Sequence, residues 1–313
     1  MPALQSCAPP AAPSDALSSP PLQRLQALFD TRHRLSRGLI ERAVAEFGAA
    51  WQHDINNTLA ALFTDPDSLA AATKGYAAFA FDAMRRQKAF EITREYPNKT
   101  YAEAASEVYF NPQHMLGEYL PGLLLSHFLW PHHYRQLQFF DQAFVAPMRL
   151  ASGSRFAEVG VGTALYSQRL LAALPTATGD GYDISPSSCA FAASHLARQG
   201  CQARYRLHEQ DILAQPIAPV PWLVCVEVLE HLEDPVGFLR ALRAALQPGG
   251  RAFITAALNA AHADHIYLYR SADEVLQQLQ AAGFVLEQAL LAAAYAPPAA
   301  AVPVPMAAAF VVR

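Results

Sequence analysis

Cysteine is scarce and unpatterned in this chain. Cys7, Cys189, Cys201 and Cys225 form no C-x-x-C pair, which excludes a zinc ribbon and fits reduced thiols in the cytoplasm. Positive charge is also limited. Lys and Arg number 23 against 27 Asp and Glu, the net charge is −4, and no dense basic run occurs. A nucleic-acid partner is therefore disfavoured, because binding phosphates needs a positive patch. No apolar run approaches the roughly 18 residues of a membrane helix, so no membrane partner is expected. The N-terminus lacks a charged block followed by an apolar one, so no secretory leader is read there.

Apolar residues make up 52% of the 313, ample for a packed core in one large or two smaller domains. Residues 1–20 are rich in Ala, Pro and Ser and are predicted to form a disordered tail. Residues 21–150 read as helical. Leu25, Leu28 and Phe29 recur at helical spacing, and a helix is predicted over 70–93. Thr100 and Glu103 have capping-box spacing. The stretch 118–144 carries Tyr119, His127, Trp130, His132, His133, Tyr134, Phe139 and Phe140. It reads either as an aromatic lid over a substrate cleft or as a helix packed on the core.

From 151 to 313 strands alternate with helices, as in a parallel α/β sheet. Strands are predicted near 155–158, 179–183, 204–207, 222–227, 251–256, 284–290 and 307–312. Helices are predicted over 185–199, 235–246 and 271–282, and a strong turn at Gln247-Pro248-Gly249-Gly250. The last two strands have no helix between them, which predicts an antiparallel hairpin at one edge.

The stretch 155–168, RFAEVGVGTALYSQ, reads as strand, glycine turn and helix start. Gly160 and Gly162 allow a ligand close to the backbone, beside a helix N-terminus that favours negative charge. A dinucleotide fingerprint needs a third glycine where Leu165 stands, and the acidic Glu158 suits an amino group better than a diphosphate. The second strand ends in Asp183-Ile184, and the third leads into Asp211-Ile212.

This set resembles the class I S-adenosylmethionine (AdoMet)-dependent methyltransferases, whose first motif is E/D-x-G-x-G-x-G, here with Ala164 at the last glycine. The resemblance implies a seven-stranded, doubly wound, Rossmann-like α/β sheet with an antiparallel C-terminal strand, preceded by a helical region. It assigns Glu158, Gly160 and Gly162 to the methionine part of AdoMet and Asp183-Ile184 to the ribose. Asp211-Ile212 would serve the adenine, with Glu227 also at the cofactor edge.

After the fourth strand comes VEVLEHLEDP, in which Glu227, Glu230 and His231 stand at spacings of three and one. One helical turn would gather them on one face. Farther on, AHADHIYLYRS contains His265. The two stretches together resemble the metal site of small-RNA 2′-O-methyltransferases, and E-x-x-E-H also resembles quinone-biosynthesis O-methyltransferases. The resemblance implies Glu227, Glu230, His231 and His265 as ligands of Mg²⁺, Mn²⁺ or Fe²⁺. Two readings stand beside it. One is a metal-free N-, C- or carboxyl O-methyltransferase with His231 or His265 as the catalytic base. The other is a non-catalytic AdoMet-binding module. Net acidity points to a small-molecule substrate, and oligomeric state is open.

Overall fold

The computed structural model describes residues 20–97, 99–152, 154–297 and 302–313. The tail expected at 1–20 lies, apart from Pro20, outside the described residues. The chain divides into two compact units, one ending at Ala70 and the other spanning Ala71–Arg313. The helical stretch 71–150 thus belongs to the same unit as the sheet, where a division at 150 was expected.

In the first unit, α1 (Pro20–Arg32) and α2 (Leu39–Leu62) pair through Leu22, Leu25, Phe29, Ile40, Trp51 and Ile55, all fully buried. The division falls inside α3 (Pro66–Thr93). The second unit continues with α4 (Tyr101–Glu107), α5 (Pro112–His114) and a π-helical turn (Met115–Tyr119). Then come α6 (Leu120–Leu129), α7 (Pro131–Phe140), a second π-helical turn (Asp141–Val145) and α8 (Ala146–Leu150). The capping box at α4 is present, with Thr100 accepting from the Glu103 N–H and Glu103 reaching back.

The sheet has seven strands in the order β3-β2-β1-β4-β5-β7-β6. They are β1 (Arg155–Val159), β2 (Thr178–Asp183), β3 (Tyr205–Glu209), β4 (Val220–Cys225), β5 (Leu246–Leu258), β6 (Leu286–Ala293) and β7 (Met306–Val312). The first five run parallel, joined through α9 (Leu165–Ala173), α10 (Pro186–Arg198) and α11 (Pro235–Ala244). β7 runs antiparallel between β5 and β6, so the expected hairpin exists with β7 inside and β6 at the edge. The helix α12 (Ala272–Ala281) opens at Ser271, whose hydroxyl accepts from the Glu274 N–H.

Alternation along β5 separates two faces. Ala252 and Ile254 join Ala157, Leu223, Leu239, Leu242, Val275 and Leu279 in one apolar core under α11 and α12. Phe253 points the other way, into an aromatic cluster with Phe140, Phe144 and Tyr166 at centroid distances of 4.9, 6.0 and 6.0 Å. That cluster seats α7 and α9 on the sheet.

Two expectations need correction. β4 ends at Cys225 rather than at Glu227, because Glu227 takes a left-handed φ of 52°. The turn expected at 247–250 lies inside β5. Pairing with β4 jumps from Val220↔Leu246 to Trp222↔Arg251, so the Pro-Gly-Gly segment bulges from a continuous strand.

Candidate functional site

The strand order reverses between β1 and β4, the place where doubly wound sheets bind ligands. Register aligns Val159 with Tyr182 on one side and Cys225 on the other. Gly160, Asp183 and the 226–228 segment therefore leave the sheet along one edge. Gly160 has a φ of +74°, and a Cβ there would stand 2.4 Å from Val228 Cγ2. The turn thus needs glycine both for its backbone and for its closeness to the loop after β4. Asp183 is tied to this turn: Oδ2 accepts from the Gly162 N–H and Oδ1 from the Ser185 N–H, each at 2.9 Å. Burial pushes its carboxyl up, and those N–H groups act against that.

Gly160, Gly162, Asp183, Ile184 and Glu227 all keep some accessible surface, so an adenosyl ligand fits a bare backbone turn beside a fixed carboxylate. The other expected cofactor residues are placed differently. Glu158 is 1% exposed and turns toward α9, where Oε2 accepts from the Ser167 N–H at 3.1 Å and from the Ser167 hydroxyl. Burial pushes its carboxyl up to about 8. Ile212 packs in the apolar core, and Asp211 accepts from the Leu213 N–H in an exposed turn. Tyr101, which no spacing rule singled out, faces this edge. Burial and then the charges of Asp211 and Asp183 push its hydroxyl up.

The second cluster lies at the end of β4. A short 3₁₀ turn, Leu229–His231, carries two of its members, and His265 follows β5. Ligand atoms of Glu230, His231 and His265 lie within 4.8 Å of one another, and all three residues are buried. His231 Nδ1 donates to the Asp264 carbonyl at 3.1 Å, and His265 Nδ1 to the Ala260 carbonyl at 2.7 Å. Each bond fixes a proton on Nδ1 and leaves Nε2 as the nitrogen free for an ion. Glu230 is fully buried; its oxygens make no well-formed hydrogen bond among the described residues, while the Glu227 carboxyl and the Glu230 and Ala257 backbone groups lie close enough to act on them. Burial, then the neighbouring Glu227 charge, pushes its carboxyl well up. Burial and the neighbouring His231 and His262 hold His265 well below the usual imidazole range.

Glu227 was expected in the same ligand set; its carboxyl lies against that of Glu230, while Thr255 fixes its backbone and Oε1. The Thr255 hydroxyl donates to Glu227 Oε1 at 2.6 Å and accepts from the Glu227 N–H at 2.9 Å. That exchange stabilises the left-handed backbone. Among the described residues, the group brought within coordinating distance contains Glu230, His231 and His265 without Glu227.

A third feature joins the helices to this cluster. Tyr109 and Tyr119 both donate to Asp264 Oδ2, at 2.9 and 2.7 Å. Asp264 is 1% exposed and precedes His265. The sequence gives no hint of these bonds, since the partners stand 155 and 145 residues apart. Tyr109, Tyr119, His133 and His262 lie deep enough for burial to shift each one, yet each keeps accessible surface.

Comparison with known proteins agrees with this geometry. Residues 157–252 match the methyltransferase domain family model. A ubiquinone biosynthesis O-methyltransferase from Xylella fastidiosa is 36% identical over 105 residues, covering 33% of this chain and 42% of the relative. The chain thus spans less than half the length of the curated relatives it matches. Among solved structures, mitomycin 7-O-methyltransferase MmcR shares the fold at a TM-score of 0.53 and 18% identity, covering 80% of this chain and 74% of that one. Human N-acetylserotonin methyltransferase, solved with S-adenosylmethionine, does so at 0.53 and 14%, covering 76% and 69%. The strand order and the family match define the class: the chain carries a class I AdoMet-dependent methyltransferase domain.

Proposed function

We propose that the protein is an AdoMet-dependent O-methyltransferase of small molecules whose acceptor hydroxyl is activated by a divalent ion. AdoMet would supply an electrophilic methyl group. Asp183, already anchored to the glycine turn, would accept from its ribose hydroxyls. Gly160 and Gly162 would leave room for the rest of the cofactor.

One observation carries the ion: the wholly buried Glu230 carboxyl, without a well-formed hydrogen bond among the described residues, lies within coordinating reach of two imidazoles. An unpaired buried carboxylate is costly unless protonated or bound to a cation. Glu230, His231 and His265 would hold the ion, with Glu227 beside them. Mixed carboxylate and imidazole donors suit Mg²⁺, Mn²⁺ or Fe²⁺, which would lower the acceptor hydroxyl's pKa. A second reading has its own support: the Nδ1 bond to the Ala260 carbonyl leaves His265 Nε2 as a free acceptor, so without an ion it is the candidate base.

Metal analysis and Mn²⁺ titration of wild type, Glu230→Ala and His265→Ala separate the two. Near-stoichiometric binding in wild type, lost in both variants, supports ion assistance. No binding in wild type rejects it and leaves the histidine base.

A further inference from the structure

The histidines of α6 and α7 serve neither the cofactor edge nor the ion cluster. His127 and His132 are 4% and 8% exposed, and the Nδ1 atom of each has no hydrogen-bond partner among the described residues. Buried polar atoms are nearly always paired, so two orphans in one cluster call for a reason. Both rings pack on His133, at centroid distances of 5.3 and 4.3 Å. His133 keeps accessible surface. Its tautomer follows from its neighbour. Ser126 Oγ donates its one proton to the Leu123 carbonyl at 2.8 Å and stands 3.0 Å from His133 Nδ1. The oxygen can then only accept, so Nδ1 carries the proton and Nε2 is an open acceptor.

A chain of ring contacts leads from this cluster back to the ion cluster. Trp130 lies 5.0 Å from His133 and stacks on Phe79 at 5.6 Å. Phe79 lies 5.3 Å from His262, whose ring is 4.9 Å from His265. Phe79, Trp130 and His262 all keep accessible surface. Stacked faces select a flat ring.

We propose that His127, His132 and His133 form a polar subsite for a hydroxyl or N–H donor on the far end of a flat, uncharged aromatic acceptor. The identity of the near end, oxygens facing Glu230, His231 and His265, rests on the function proposed above; the imidazole subsite does not need the ion. An anionic far end would require an imidazole to gain a proton against burial. A cationic one would find no carboxylate among these three side chains.

The test is calorimetric titration of the full chain, saturated with S-adenosylhomocysteine and Mn²⁺. The probes are naphthalene-2,3-diol and its 6-hydroxy and 6-methoxy derivatives. Wild type should prefer the 6-hydroxy over the 6-methoxy compound by about ten-fold, the size of one good hydrogen bond. His133→Phe and His132→Phe should bring that ratio toward one while S-adenosylhomocysteine affinity stays unchanged. No preference in wild type, a preference surviving in both variants, or no binding of any diol overturns the inference. Repeating the series without Mn²⁺ separates the two proposals. A preference that persists in a protein unable to bind Mn²⁺ keeps the subsite and removes the ion.

Discussion

Glu230 holds the conflict on which the site turns. Its buried carboxyl lies against that of Glu227, so Glu230→Gln, whose amide can donate to Glu227 without a shared proton, should relieve the metal-free protein and raise its stability by about 1–3 kcal/mol. The same change should abolish any rise in melting temperature on adding Mn²⁺. Thermal melts in chelator and in Mn²⁺ check both, and a destabilised metal-free variant would contradict the picture. Glu158 offers a pH test. Its folded carboxyl lies at about 8, above the ordinary 4.5, so the native state holds a proton that the unfolded chain releases. That stabilisation is full below about pH 4.5 and is lost as pH rises through 8, on the order of several kcal/mol. Unfolding free energies of wild type and Glu158→Gln should diverge across this window, with wild type losing more toward pH 8. A constant difference would mean an ionised Glu158. At this scale the ligand-type residues after β4 and β5 were legible because their spacing is local. The inward turn of Glu158 toward Ser167 was not, because a strand-end acid before a glycine turn has the same pattern whichever way its side chain points. The left-handed backbone of Glu227 was hidden too, since its cause is Thr255 on another strand.

Among the elements, α3 and the segment before α6 approach unusually closely. A Cβ on Gly75 would stand 2.4 Å from the Gly117 carbonyl oxygen. Gly75→Ala must therefore push α3 away from the π-helical turn, at a cost of about 1–3 kcal/mol. Denaturant unfolding measures that cost, and a neutral effect would show that the contact yields freely. The caps at α4 and α12 were readable because a side chain there meets a backbone group three residues away. The end of β4 and the bulge in β5 were not readable, because a strand's continuation is decided by its neighbour. Nor were the two π-helical turns, one of which carries Tyr119. Extra residues in a helix change its aim without changing its composition.

For the sheet-bearing unit as a whole, Asp264 is one tie between helices and strands, beside bonds such as the Tyr101 N–H to Glu233 and the Ser185 hydroxyl to the Tyr109 carbonyl. Tyr109→Phe and Tyr119→Phe each remove a hydrogen bond to a buried carboxylate, worth about 1.5–3 kcal/mol. The double variant should exchange amide hydrogens faster over residues 101–120 while strands β1, β4 and β5 stay protected. Equal exchange in wild type and double variant would show that the helices are held by other contacts. The succession of strands and helices was legible in the apolar runs and turn residues along 151–313, and the doubly wound architecture through the resemblance carried by the glycine turn and the acids that follow it. The division of the chain near Ala70 was not, since helical periodicity continues through it.

The placing of β7 between β5 and β6 also gives folding a clock. Synthesis runs from N- to C-terminus, so β6 leaves the ribosome before the strand that joins it to the sheet exists. Until β7 arrives, β5 is an open edge of buried-type residues, with Phe253 and Ile254 among them. A nascent chain held at that point is therefore the form most exposed to wrong pairing with a second copy of itself.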